Sequence, residues 1–423
     1  MKYTKKDLGS FGLHLIQTDK FKTITVRLVF HSPIIKEEIT KRNVLADIFL
    51  QSSEKYDSRR KLTIQAEDLY AADIVTNNQR LGNYLFTSIN LQVLQDKYTE
   101  EGNFEKSLEF LNEILFHPDV KQKAFKEDKL NTVKTTTTMA INSIKEDSSS
   151  YSLIRMAEAY DSSSPLSYRM CGYIEDLEKI TPENLYECYQ NMIENDFVDI
   201  FVVGDFDNKE MTTLIKKYFK FKKIKKKKDS YYLKNKKARK RRLFAKETAD
   251  NTQSKLAIAC SINPLTDYEK NYSLVLANLI LGGGTDSKLF QNVREEHSLC
   301  YSIHSFANKL DNILVISAGI DKNNYSQTVE LITKNLLELK KGHFNEKDIE
   351  IAKEFYQTSL DEFEESENHL INEFLQEELL EIDPIEERAK RMQKVRKQDI
   401  VKVFKKINMD TVFLLEGTKH EEE

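Results

Sequence analysis

The feature that most constrains this chain is that it repeats itself. In the first half, Pro182-Glu183-Asn184-Leu185-Tyr186 opens a helical stretch that runs into Phe197-Val198-Asp199-Ile200-Phe201-Val202-Val203-Gly204. In the second, Gln398-Asp399-Ile400-Val401-Lys402-Val403-Phe404 leads into Thr411-Val412-Phe413-Leu414-Leu415-Glu416-Gly417. The closing glycines, Gly204 and Gly417, are 213 positions apart. A further echo sets Phe125-Lys126-Glu127-Asp128-Lys129-Leu130 against Phe344-Asn345-Glu346-Lys347-Asp348-Ile349 at an offset of 219, and each copy opens a long polar helix. Two copies of this length mean a duplicated domain and not a solenoid, whose repeats are far shorter.

Apolar–polar alternation predicts strands at Phe11–Ile16, Thr23–Phe30, Leu85–Val93, Lys255–Ser261 and Asn312–Ala318. Helical periodicity covers Val44–Ser53, Glu105–Phe116, Tyr268–Leu281, Ser326–Leu339 and Glu346–Phe363. Thr181 before Pro182 reads as an N-cap with proline in the first turn. The expected fold class is α+β: two tandem domains, each a mostly antiparallel sheet of about six strands packed with helices. The expected boundaries are 1–221 and 244–423, joined by a linker at 222–243.

That linker is marked by charge. The chain carries 64 Lys plus Arg against 68 Asp plus Glu, a net −4. Residues 222–242 hold thirteen basic residues and one Asp, +12, so the rest of the chain sums to −4 − 12 = −16. A run of like charges repels itself and reads as a solvated strap. It could also tether an acidic surface or RNA, but no stacking platform or recognition motif surrounds it, which weighs against nucleic acid. No apolar run reaches the ~18 residues of a membrane span. The start, Met1-Lys2-Tyr3-Thr4-Lys5-Lys6-Asp7, has no secretory character. Cys171, Cys188, Cys260 and Cys300 form no CxxC pair, which fits a reduced, cytoplasmic setting.

The search for chemistry begins with an absence. None of the eight histidines (His14, His31, His117, His297, His304, His343, His369, His420) lies three or four positions from another. A two-histidine zinc site on one helix face needs that spacing, so each reads as a surface or structural residue. The informative segment is 279–303. Gly282, Gly283 and Gly284 end an apolar helix and open a loop, an amphipathic stretch follows, and Arg294 and Tyr301 flank the turn into a strand. A guanidinium and a phenol are donors suited to a carbonyl oxygen or peptide backbone. The alternative is structural: Arg294 paired with a carboxylate, Tyr301 in the core.

This segment resembles the second-domain signature of the insulinase/pitrilysin-type peptidases, the inverzincins: a Gly-rich loop, Ser-x-Leu-Phe, Arg-Glu, and a Tyr seven residues after the Arg. Ser287, Leu289, Phe290, Arg294, Glu295 and Tyr301 fill those places. The resemblance implies that Arg294, Tyr301 and the Gly282–Gly284 loop contact a peptide substrate. It also implies a clamshell half built from two copies of one domain.

The first half departs from the family pattern. Ser53-Glu54-Lys55-Tyr56 matches the segment that follows the family's HxxEH helix, which puts the motif at Asn43, Ala46 and Asp47. The two histidine positions hold Asn43 and Asp47, and the base glutamate position holds Ala46. The later glutamate ligand falls near Lys134-Thr135, where no carboxylate stands. The resemblance therefore implies no metal in this chain. It is similar to the zinc-motif-lacking subunits of bacterial paired members, with zinc carried by an HxxEH-bearing homologous partner. Ala72-Asp73-Ile74-Val75-Thr76 is expected, by resemblance, to be an edge strand that pairs with extended peptide. The alternatives are a non-proteolytic structural subunit, such as those linked in the family to elongation factor P modification, or a homodimeric peptide-binding protein.

Overall fold

The computed structural model describes residues 1–224 and 229–418. Lys225 to Lys228 of the basic strap, and His420, lie outside the described residues. The first half runs β1 (Lys2–Asp7), β2 (Gly12–Gln17), β3 (Thr23–Pro33), α1 (Lys36–Ile48), α2 (Arg59–Asp68), β4 (Asp73–Leu81), β5 (Tyr84–Leu94) and α3 (Asn103–Phe116). A small hairpin, β6 (Val120–Lys121) and β7 (Ala124–Phe125), precedes α4 (Glu127–Ser143), α5 (Ser148–Asp161), α6 (Ile174–Leu177), α7 (Pro182–Asn195), β8 (Phe197–Gly204) and α8 (Asn208–Tyr218). The second half runs β9 (Leu243–Ala249), β10 (Ser254–Ile262), α9 (Leu274–Gly282), β11 (Cys300–Asn308), β12 (Ile313–Ile320) and α10 (Tyr325–Lys341). It ends with α11 (Glu346–Asp361), α12 (Glu367–Leu380), α13 (Ile385–Gln393), α14 (Lys397–Lys406) and β13 (Ile407–Gly417).

The two sheets have strand orders β1-β2-β8-β3-β5-β4 and β11-β12-β10-β13-β9. Their wiring is the same. β2 and β8 pair in parallel, as do β9 and β13; every other neighbour is antiparallel. The α+β class with mixed, mostly antiparallel sheets is thus the observed one. The first sheet has one strand more, β1, and a helix, α8, that follows β8.

The chain groups into two compact units. The first is Met1–Asn142, Arg169–Asp229 and Glu364–Leu375; the second is Ser143–Tyr168, Ser230–Phe363 and the residues from Gln376 on. Packing therefore cuts across chain order at α5 and α12. In the first unit, one face of the sheet (Leu13, Leu15, Val26, Leu28, Phe30, Ile200) forms the core with α1, α3 and α7. The other face is partly polar and meets the start of α12, where Glu367 accepts from Thr25 Oγ1 at 2.8 Å and Thr23 Oγ1 at 2.9 Å. In the second unit α5 lies on the corresponding face. Its Tyr151, Met156 and Tyr160 pack against Ala257, Val315 and Phe413.

Two expectations are corrected. Helix α1 begins at Lys36, eight residues before the expected Val44, and ends at Ile48. Its first turn, Lys36-Glu37-Glu38, carries no apolar periodicity, yet acidic residues favour a helix N-terminus. The strap is also not simply solvated between 229 and 242. Tyr231 and Leu233 are buried, and Leu233 N–H donates to Leu310 O at 2.7 Å. The Arg239 guanidinium pairs with Asp410, a carboxylate with no exposure, and its backbone N–H donates to the same group at 2.7 Å. Apolar residues interrupt the charge run, and a buried carboxylate needs a cation.

Candidate functional site

The second unit holds the Gly-loop, Arg294 and Tyr301. Helix α9 ends at Gly282. A Cβ there would sit 2.7 Å from Ser305 Oγ and 2.8 Å from Ser305 N, so the glycine lets α9 end against β11. At Gly283 a Cβ would come 2.7 Å from Leu279 Cα. Gly284 alone faces open space, with only Phe355 Cε2 at 3.8 Å. Packing thus accounts for two of the three glycines. The loop is then tied by Ser287 Oγ to Gly284 O at 2.5 Å and by Gln291 Nε2 to Thr285 O at 2.7 Å.

Residues Phe290–Glu296 form a widened π-type turn, a geometry frequent at functional sites. Leu289 and Val293 anchor it in the core. Arg294 is half exposed, with its guanidinium 4.6 Å from the Phe290 ring centroid and Nε 3.8 Å from Glu295 Oε1. Among the described residues no buried carboxylate holds it. Ser298, with φ of 51°, turns the chain into β11. The register of β11 on β12 shifts between Cys300 and Ser302, so Tyr301 sits at a bulge and is 56 % exposed. Arg294 is near enough to Cys300 to act on its thiol, although burial is the stronger influence and pushes that thiol up to about 11. Arg294 and Tyr301 therefore flank one corner at the edge of the second sheet, and among the described residues only the loose contact of Arg294 with Glu295 engages their donors.

The first unit holds the slot of the zinc helix. Asn43 on α1 turns its amide to Met170 O at 2.6 Å. Ala46 is buried at 3 % exposure and Asp47 is exposed. Partial desolvation raises the Asp47 carboxyl above its ordinary range, and Arg59 opposes the rise. These residues do not fit a zinc ion. One carboxylate is a single ligand, an amide nitrogen is none, and nothing at Ala46 could act as a base. Lys134 and Thr135 lie on α4, where the threonine hydroxyls back-bond to the helix, Thr135 Oγ1 to Asn131 O at 2.9 Å. Among the described residues no group of three or more His, Cys, Asp or Glu side chains is placed to hold a metal ion.

The edge expected near Ala72–Thr76 is β4, which among the described residues pairs only with β5. Tyr70 and Ala71, both with φ near +57°, make the sharp turn that starts it. Val75 is 47 % exposed. Beside it lies a cavity of about 300 Å³ lined by Arg59, Leu62, Ile74, Phe110 and Ile114. Of these lining residues the sequence singles out Ile74 alone, as part of the expected edge strand. They come from two helices, α2 and α3, and the strand β4, and no local pattern unites them. The electrostatic reach of Arg59 to Asp47 puts this cavity next to the zinc slot.

Among the described residues no helix is long and apolar enough to cross a membrane. Residues 179–356 match the peptidase M16 inactive domain. The chain is similar to the probable inactive metalloprotease YmfF of Bacillus subtilis, with 29% identity over 422 residues, 98% of each chain. Among solved structures it is similar to a conserved protein from Enterococcus faecalis V583, with a TM-score of 0.90, 27% identity and 100% coverage of both chains. A protease from Helicobacter pylori has the same fold, with a TM-score of 0.80 and 16% identity over 98% of this chain and 99% of that one. With the Gly-loop, the π-turn and the duplicated sheets, these likenesses place residues 179–356 in the peptidase M16 inactive domain and make the chain as a whole similar to the pitrilysin/insulinase-type (M16) peptidases.

Proposed function

We propose that this chain is a catalytically incomplete peptidase-family subunit that binds extended peptide and lends Arg294 and Tyr301 to a zinc-bearing homologue. The observation that supports this is an asymmetry between its two slots. Asn43, Ala46 and Asp47 cannot hold zinc, while Arg294 and Tyr301 stand at an exposed corner with donors to spare. A guanidinium on a π-turn and a phenol on the bulge that follows are both left unburied, in geometries frequent at functional sites. The edge of β4 gives an extended peptide a backbone to pair with, and the neighbouring apolar cavity can take a side chain. A donor aimed at the peptide carbonyl acts by stabilising negative charge that develops on its oxygen.

The test is reconstitution. The isolated chain should retain no stoichiometric zinc and cleave no peptide. Mixed with its HxxEH-bearing homologue it should raise the peptidase rate. Arg294→Ala or Tyr301→Phe should lower the rate of the mixture on the order of tenfold to a hundredfold, less than for a fully enclosed oxyanion donor because both side chains are exposed. Neither change should alter the folding of the chain. One zinc per isolated chain with peptidase activity, or a mixture indifferent to both substitutions, would refute the proposal.

A further inference from the structure

We infer that the outer edge of β9 is a docking site for an extended acidic segment of another protein, added as a sixth strand to the second sheet. This goes beyond the function proposed above and does not rest on it. The first sheet shows what the fold builds at this place. There β2, parallel to β8, is followed outward by the antiparallel β1. Helix α8 closes over them, burying Met211 and Ile215, with Lys6 Nζ of β1 bonded to Thr212 Oγ1 at 2.7 Å. The corresponding strand of the second sheet, β9, is parallel to β13 and is the last in its sheet. Among the described residues no strand lies outside it and no helix follows β13.

The uncovered strand has the pattern of one made to be covered. Phe244, Lys246 and Thr248 are exposed in alternation with half-buried neighbours, and Phe244 is 58 % exposed. Between Phe244 and α10 runs an open groove of about 540 Å³, lined also by Tyr325, Val329 and Thr333. A free strand edge presents unpaired backbone donors and acceptors, a template for strand addition.

Charge selects the occupant. Arg242, at one end of the groove, reaches Thr333 Oγ1 at 3.1 Å. The Lys340 ammonium is held below its ordinary range first by burial and then by Arg242, so two cations oppose each other there. A carboxylate from an added strand relieves that opposition. Lys240 and Arg241 add further positive charge to the approach, so the surroundings stay basic although Glu330 also lines the groove. The apolar side chains of Phe244 and Val329 call for one apolar residue beside the acid. A second copy of this chain fits poorly. Pairing β9 antiparallel with its own copy about its central residue sets Lys246 opposite Lys246, a destabilising like-charge pair.

The test uses the full chain and a nine-residue peptide of alternating Glu and Ile, labelled with fluorescein and followed by anisotropy. The peptide should saturate. A Lys-Ile counterpart, and a Glu-Ile peptide N-methylated at alternate residues, should each bind at least tenfold more weakly. Phe244→Ala should weaken the parent peptide at least tenfold with an unchanged circular dichroism spectrum, because the ring packs little in the fold. A benzophenone-bearing version should crosslink to residues 242–248 or 325–333. Crosslinks confined to other edges, equal binding of the N-methylated peptide, or indifference to Phe244→Ala would overturn the assignment. So would a peptide-free dimer, seen by sedimentation, that Phe244→Ala dissociates.

Discussion

Arg42→Met should destabilise the first unit by about 3–5 kcal/mol, the usual effect of stranding one member of a buried ion pair. Arg42 and Asp196 are nearly inaccessible, at 5 % and 3 % side-chain exposure. They form a two-pronged bridge, Nη1 to Oδ2 at 2.8 Å and Nη2 to Oδ1 at 3.0 Å. Burial works against the guanidinium charge, but the Asp196 carboxylate more than offsets it and holds Arg42 above its ordinary range. The pair joins the zinc-slot helix α1 to the C-terminal end of α7, where Asp196 is the cap residue. Removing the guanidinium leaves a nearly buried carboxylate without its cation, at the wall of a cavity of about 500 Å³ that both residues line. Arg42→Met with Asp196→Leu removes both charges, and the double variant should recover most of the loss. Hydrogen exchange of α1 and α7 amides reads the effect locally, since a chain of two units need not unfold in one step. If each single change costs less than about 1 kcal/mol, the bridge is no anchor.

Legibility in the sequence followed the range of the interaction. Strands β3, β5, β10 and β12 lie within two or three residues of the expected spans because alternation is a local signal. Helices α3, α10 and α11 were equally plain, and the Asn345 capping box opens α11 one residue after Phe344, where the echo between the halves begins. The corner at Arg294 and Tyr301 was visible because its motif is contiguous. What escaped was long-range. Arg42 and Asp196 are 154 positions apart, and nothing near either names the other. The placement of α5 and α12 in units that their position in the chain does not suggest comes from packing of whole faces. The cavity beside β4 likewise draws its walls from separate elements. The strap misled because charge density dominated its pattern, while Tyr231 is buried and Leu233 and Arg239 each found a specific partner.

Asp199→Ala is expected to be the other large loss, about 2–6 kcal/mol, from two buried donors that each lose an acceptor at about 1–3 kcal/mol. Asp199 lies on β8 between two buried histidines. His14 Nε2 is 3.0 Å from one carboxylate oxygen and His31 Nε2 is 2.9 Å from the other. A carboxylate only accepts, so both Nε2 atoms donate. That leaves His14 Nδ1 to accept from the Tyr3 hydroxyl at 2.7 Å. The network joins β1, β2, β8 and β3 through one acidic residue. Gly12 makes room for it, since a Cβ at that position would lie 2.2 Å from Asp199 Oδ1 and 3.0 Å from His14 Nε2. Gly12→Ala alone should therefore displace the carboxylate and destabilise the sheet. With Asp199→Ala already present that clash is gone, so the double variant should cost less than the sum of the two. Exchange rates of β2 and β8 amides in the three variants decide the matter. Strict additivity would mean that Gly12 is not shaped by the carboxylate. A loss below about 1 kcal/mol for Asp199→Ala would mean that the histidines find other acceptors within the fold.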